Sequence, residues 1–161
     1  MAAFEIKIDD AAAQAMFARL EKNAKANDKA MRESALSIKQ KVYETFRSAR
    51  DPWGTPWPAL SPLTLKARKR RGNASVQPLI DTGAMYASIE ADSGAMHASV
   101  SVGGNLPDAR AWYNQFGGKA AMRPPTRAFL PIRSIGSVDV PEDWIAPVRE
   151  IWRKSLDEAA A

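Results

Sequence analysis

The stretch of residues 51–65, DPWGTPWPALSPLTL, constrains the fold more than any other part of the sequence. It contains Trp53 and Trp57, and prolines stand at positions 52, 56, 58 and 62. Proline has no backbone donor, and it pushes the preceding residue toward an extended conformation. The stretch therefore cannot form an ordinary helix or a central strand. We predict a stiff loop in which Trp53 and Trp57 are docking points for the chain around them.

The segment before this loop has helical periodicity from residue 11 to residue 49, with a small or polar stretch at residues 23–29. We predict two helices, at about 11–24 and 28–48, with a single bent helix as the alternative. Their apolar stripes are expected to pack in the core, with a surface for a partner helix as the alternative. The stripes are Ala13, Met16, Phe17 and Leu20, and then Met31, Ala35, Ile38, Val42 and Phe46.

After the loop, Ser61 is a good N-cap and Pro62 suits the first helical position, so we predict a helix from Pro62 to Arg71. Gly72 and Asn73 are expected to end it. The other predicted elements are a strand at 4–8, a short helix at 84–89, a hairpin of 87–92 and 95–103 that turns at Asp92–Gly94, a short helix at 108–116, an edge strand at 128–132 and a terminal helix at 141–160.

These elements indicate an α+β fold in which N-terminal and C-terminal helices pack on a small, mostly antiparallel sheet, with long Pro-rich loops. The length of 161 residues suits one domain spanning 1–161, and an apolar content of 45% suits a globular core. No apolar run approaches the roughly 20 residues of a membrane helix, so we expect no membrane partner. The chain has no cysteine, which excludes disulfides and thiolate chemistry.

The net charge of +5 is concentrated in one third of the chain. Residues 39–71 carry nine basic and two acidic side chains, whereas the flanking parts are neutral or slightly acidic. Five cations lie at the end of the predicted Pro62–Arg71 helix: Lys66, Arg68, Lys69, Arg70 and Arg71. They could contact nucleic acid or an acidic protein, or they could simply form a solvated helix end.

Residue types needed for catalysis are scarce. The only histidine, His97, lies on the expected outward face of a strand, and no Gly-x-Ser-x-Gly or Gly-rich phosphate motif is present. One histidine without cysteine makes zinc and transition-metal sites improbable. We therefore predict a protein that is not an enzyme and needs no cofactor. A hydrolase using His97 or paired carboxylates is the remote alternative.

Aromatic residues cluster outside the basic segment. We expect most of them to lie in the core, whereas Trp53 and Trp112 fit a subunit interface equally well. The residues predicted to act in an interface or in docking are Trp53, Trp57, Trp112, Phe116, Arg127 and Phe129.

Several segments, taken in order, resemble the phage virion morphogenesis proteins, the tail completion proteins of Mu-like and P2-like phages. The first is Asp51-Pro52-Trp53-Gly54 with the run from Trp57 to Thr64, and the second is Leu79-Ile80-Asp81-Thr82-Gly83 with the residues up to Ile89. Two further matches are Asn114-Gln115-Phe116-Gly117 and the segment from Pro125 to Leu130. Asn114 stands where the family usually has His, and Ala128 replaces a frequent Pro. The matches cover residues 43–133.

This resemblance implies a structural protein that acts at tail completion or head–tail joining, as a homo-oligomeric ring. Its implied partners are copies of itself and other phage tail or connector proteins, with DNA passing through the channel as a further contact. The implied setting is the host bacterial cytoplasm during assembly, and the virion. The alternative is a DNA-binding accessory protein that uses residues 66–71.

Overall fold

The computed structural model describes residues 11–73, 75–94, 96–104, 110–117, 125–134 and 136–160. The predicted strand at 4–8 lies outside these residues. The elements are α1 (Ala11–Ser48), α2 (Pro62–Arg70), α3 (Ala84–Ala87), β1 (Glu90–Gly94), β2 (His97–Ser101), α4 (Arg110–Phe116), β3 (Ile132–Ser134), β4 (Ser137–Val138) and α5 (Glu142–Ala160). This arrangement confirms the α+β class.

Helix α1 is one uninterrupted helix of 38 residues, so the prediction of two helices was wrong. Ala24, Lys25 and Ala26 are good helix formers and continue the helix through the polar stretch. Ion pairs one turn apart lie on both sides of the expected break, with Lys25 Nζ 2.7 Å from Glu21 Oε1 and Arg32 Nη2 3.8 Å from Asp28 Oδ2. Low apolar content in this stretch marks a solvent-exposed part of the helix and not an interruption.

The core gathers around the C-terminal half of α1. Val42 and Phe46 are fully buried and pack with residues from later segments: Trp57, Met85, Ile89, Phe129 and Trp144. The second predicted stripe is therefore confirmed as core. The first is not, because Met16 and Phe17 are 61% and 68% exposed. Nothing else in the described chain covers that part of the helix.

Helix α5 lies antiparallel along α1. Lys41 Nζ is 3.3 Å from Asp143 Oδ2 near the start of α5, and Ser155 Oγ donates to the Ala26 carbonyl, 3.1 Å away, near its end. Trp144 and Ser155 are buried on the contact side. Helix α5 therefore covers α1 from about residue 41 back to about residue 26. No helix among the described residues is long and apolar enough to cross a membrane.

The antiparallel strands form two separate two-stranded hairpins within the described residues, β1–β2 and β3–β4. The first packs on α1. Its strands pair from Glu90 with Ser101 to Gly94 with His97, so Asp92–Gly94 belong to β1 and the predicted turn there was misplaced. The edge strand predicted at 128–132 was also misplaced. Strand β3 begins only at Ile132, because a glutamine side chain binds the backbone before it.

Candidate functional site

The loop of residues 51–62 is held in shape by its own polar groups. Asp51 Oδ1 accepts hydrogen bonds from the backbone N–H groups of Trp53 and Thr55, at 3.0 and 2.8 Å. The Trp57 N–H donates to the Ala49 carbonyl at 2.8 Å. An aspartate that binds backbone amides two and four residues later fixes a tight turn. The two indoles therefore leave the loop from defined positions.

Both indoles of this loop dock on distant segments of the same chain, as predicted. Trp57 Nε1 donates to the Ala128 carbonyl at 2.9 Å, and the ring packs edge-on against Phe46 in the core. Trp53 Nε1 donates to the Asp139 carbonyl at 3.1 Å, and the Arg133 guanidinium lies 3.9 Å from its ring centroid. Trp57 is buried and Trp53 is half-buried. Both side chains thus tie the loop to residues 71 and 86 positions later.

Arg127 and Phe129, predicted as interface residues, also lie inside the fold. Arg127 is 5% exposed; its Nε donates to the Pro58 carbonyl at 2.9 Å and its Nη2 to the Ala59 carbonyl at 3.2 Å. Phe129 packs against Phe46 with ring centroids 5.4 Å apart. Arg127 therefore binds two carbonyls of the Pro-rich loop from the interior of the fold. Burial, together with the charge of Arg68, lowers the pKa of Arg127 below its usual value.

Gln115 is a structural residue that the sequence analysis did not assign to the site. Its Oε1 accepts from the Phe129 and Leu130 N–H groups, both at 3.0 Å. Its Nε2 donates to the carbonyls of Leu130 and Ile132, at 3.0 and 2.8 Å. A single amide thus satisfies four backbone groups, which explains why this segment does not need a strand partner. The sequence signal that could have indicated this role was the position of Gln115 in the Asn114–Gly117 motif.

The five cations predicted as one basic group fall into different surroundings. Arg68 is buried, and its Nη1 donates to the carbonyls of Ser75, Gln77 and Ile80 at 2.8–3.1 Å. Its Nε lies 3.5 Å from Asp81 Oδ1. Arg68 is therefore a structural residue and not part of an external contact surface. Arg71 pairs with Asp81 at 2.7 Å and is exposed.

The other three cations, Lys66, Lys69 and Arg70, are exposed and have no hydrogen-bond or ion-pair partner in the described part of the chain. We call them the α2 basic face. Their charges are available to a partner because no carboxylate competes for them. They remain the candidate contact for nucleic acid or an acidic protein.

An open groove of about 950 Å³ lies between α2 and α4. The loop before α2, the segment 79–85, Pro125 and Arg127 complete its walls, and we call it the α2–α4 groove. Its apolar lining includes Leu63, which is 78% exposed. The described residues that line it include three arginines, Arg68, Arg110 and Arg127, and one aspartate, Asp81.

Trp112 and Phe116, the remaining predicted interface residues, stack on each other one turn apart on α4. Their ring centroids are 4.5 Å apart, and Trp112 is 48% exposed. Of the six predicted interface residues, Trp112 is thus the one that the structure leaves open to solvent; Trp53 and Phe116 are half-buried.

The first part of α1 projects beyond the rest of the fold. Every side chain at 14–19 and 21–25 is exposed, on all faces of the helix. We call residues 11–25 the N-terminal arm. Apolar side chains exposed in this way are typical of a surface that another molecule covers.

His97 is exposed, as predicted. Its Nε2 lies 2.8 Å from Asp92 Oδ2 across the hairpin, and this contact lowers the pKa of Asp92. No group of three potential metal ligands occurs among the residues that the structure describes.

A model of the phage virion morphogenesis family matches residues 8–150. No curated protein and no solved structure matches the chain.

Proposed function

The chain belongs to the phage virion morphogenesis family, which indicates a structural role in virion assembly, and from this premise we propose that it acts at tail completion or head–tail joining as an oligomeric ring. In this proposal it works in the host cytoplasm during assembly and contacts other tail or connector proteins. The observation that carries the proposal is the N-terminal arm, since a helical surface with exposed Met16 and Phe17 favours association.

The arm also favours a ring over a symmetric dimer. It lies at one end of α1, while the half-exposed Trp112 and the α2–α4 groove are built from later segments. When two different surfaces of one chain contact each other between copies, the contact is heterologous, and it generates a closed ring if the rotation closes. Stiff segments such as the loop of residues 51–62 lose little conformational entropy when they dock.

Light scattering across a concentration series tests the association. We expect masses that are multiples of 17.6 kDa, and a shift to monomer when Met16 and Phe17 are both replaced by glutamate. Leu156→Glu is the matched control, because Leu156 is equally exposed but lies on α5. A wild-type chain that stays monomeric at all concentrations, with and without purified tail proteins, would contradict the proposal.

Complementation in a phage that carries this gene tests the stage of assembly. We expect the deletion to give separate heads and tails, or tails with aberrant ends, in electron micrographs. The wild-type gene should restore joined particles and the Met16, Phe17 double variant should not. Normal virions from the deletion would refute the assembly role.

A second candidate function, DNA binding, is favoured by the α2 basic face alone. Three unpaired cations that bind phosphates should steepen the salt dependence of affinity, with a change in slope of about 3 in log affinity against log salt. Replacing Lys66, Lys69 and Arg70 with glutamine should remove that slope, whereas the same replacement of Arg149, Arg153 and Lys154 on α5 should not. Equal affinities for the two triple variants would reject DNA binding through this face.

A further inference from the structure

The α2–α4 groove lies beside the C-terminal end of α1. Gln77 Nε2 donates to the carbonyls of Phe46 and Arg47, and the groove-lining residues Leu79 and Met85 follow shortly after it in the chain. Met85 also packs in the core with Phe46. The groove therefore opens at the opposite end of α1 from the N-terminal arm.

Among the lining residues that the structure describes, the groove has more arginines than carboxylates, in an apolar setting. The carboxylate of Asp81 is already engaged by Arg68, Arg71 and Asn73. Arg127 is bound only by uncharged carbonyls, and no carboxylate pairs with it in the described part of the chain. A buried guanidinium without an anionic partner is costly, and a carboxylate brought into the groove would reduce that cost. The groove thus suits a segment that combines apolar side chains with carboxylates.

Residues 4–10 of this chain have that chemistry. Phe4, Ile6 and Ile8 alternate with polar residues, and Asp9 and Asp10 follow directly. An extended segment would place the three apolar side chains on one face, matching the apolar lining of the groove. Its two carboxylates would then lie near Arg127.

The segment cannot reach the groove of its own chain. From Ala11 to Phe46, α1 rises about 53 Å at about 1.5 Å per residue. The seven residues 4–10 span at most about 25 Å when fully extended. The projecting arm instead carries the segment away from its own groove and toward a neighbouring molecule.

We infer that residues 4–10 of one copy bind in the α2–α4 groove of the next copy, with Phe4, Ile6 and Ile8 on its apolar lining and Asp9 and Asp10 beside Arg127. This inference rests on the proposed ring and names its interface. Each copy donates one arm and receives another, so the contact is heterologous, and a ring that closes by rotation leaves no groove free. The arm serves as the spacer between neighbours.

Engineered disulfides test this contact, since the chain contains no native cysteine. A chain carrying Ile8→Cys and Leu63→Cys should give a ladder of covalent multimers after mild oxidation, resolved on a non-reducing gel. A mixture of the two single variants should give dimers only. Ile8→Cys with Met96→Cys is the control, because Met96 is exposed on the β1–β2 hairpin, away from the groove.

Each outcome of this experiment has a defined meaning. A ladder with Leu63→Cys but not with Met96→Cys supports the inference. A fast-migrating cross-linked monomer would show binding within one chain and overturn it. Oligomers that form normally but never cross-link through Leu63 would also overturn it, and they would show that another molecule or segment occupies the groove.

Deletion of residues 1–10 separates this inference from the proposed function. We expect the truncated chain to associate at least about tenfold more weakly, since lost carboxylate–guanidinium contacts of roughly 1.4 kcal/mol correspond to that factor. Asp9→Lys with Asp10→Lys should weaken association similarly, whereas Glu33→Lys with Asp157→Lys should not. If the wild-type chain forms oligomers and the truncated chain forms them equally well, the inference fails and the ring survives. If the wild-type chain is monomeric, the ring itself fails.

Discussion

The two ends of α1 differ in their surroundings although they belong to one helix. Near its C-terminal end, Val42 and Phe46 have no exposed surface and pack with five other core residues. In the N-terminal arm, Met16 and Phe17 are largely exposed, and so is every other side chain at 14–19 and 21–25. Helix α5 covers α1 back to about Ala26, whose carbonyl accepts a hydrogen bond from Ser155, and this limit separates the two regions. An apolar stripe therefore identifies a helix but does not identify what covers it.

The buried half also explains how the exposed half stays helical. An isolated helix of about 15 residues is marginal in water, mainly because its first turn is costly to form. The arm extends a helix that the core has already nucleated, so each added residue needs only the propagation step. Exposure of the arm is thus compatible with order, and it leaves the arm's apolar side chains available for contacts between copies.

The largest expected difference is between two phenylalanines of α1. Phe46→Ala should lower the free energy of unfolding by about 3–5 kcal/mol, because it leaves a cavity in the core. Phe17→Ala should change it by less than about 0.5 kcal/mol. Urea denaturation of dilute, monomeric protein measures both values, and light scattering at high concentration should show the reverse order for association. Equal losses of stability would mean that the arm packs within its own chain.

The next difference compares two arginines of α2. Arg68→Met should cost about 2–4 kcal/mol, because three backbone carbonyls and Asp81 lose a buried partner. Arg70→Met should cost less than about 0.5 kcal/mol, since Arg70 is exposed. Thermal unfolding of both variants checks the contrast. If Arg68→Met unfolds at the same temperature as the wild type, Arg68 acts as a surface cation, as Arg70 does.

The sequence could not separate these two arginines. Arg68 and Arg70 belong to one basic run with Lys69 between them, and the carbonyls that bind Arg68 come from the loop of residues 75–80. Folding of that loop decides which cation is buried, and no local pattern reports it. By contrast, the start of α2 was predictable because it depends on local chemistry, and the Ser61 side chain accepts a hydrogen bond from the Thr64 N–H as a helix cap should.

The same distinction applies to the candidate site. The docking role of Trp57 was predictable from a large indole in a stiff loop, although its partner, the Ala128 carbonyl, lies 71 positions later in the chain. The irregular backbone at 128–130 did not follow, because its partner is the side chain of Gln115 on another helix. Apolar residues between prolines fit a strand, and only tertiary contact shows that an amide replaces the neighbouring strand.

A smaller difference is expected for two glutamines. Gln115→Leu should lower stability by about 1–3 kcal/mol, because the buried N–H of Phe129 loses its acceptor while the size of the side chain is nearly kept. Gln40→Leu on the exposed surface of α1 is the control and should be close to neutral. Hydrogen exchange gives the specific readout, since the Phe129 and Leu130 amides should lose protection in the first variant alone. Unchanged protection would show that other contacts hold this segment.

The smallest expected effect concerns Trp53, which belongs to the folded body but lies at its surface. Trp53→Phe keeps an aromatic ring for Arg133 and removes the hydrogen bond to the Asp139 carbonyl, so a loss of about 1 kcal/mol is expected. Arg133→Met tests the other contact and should cost about 0.5–1 kcal/mol, the typical value of an exposed cation–π pair. Both variants should assemble normally, because Trp53 is used within its own chain, unlike Phe17. Loss of assembly without loss of stability in Trp53→Phe would instead place Trp53 in the contact between copies, and the division between the buried body and the projecting arm would no longer hold.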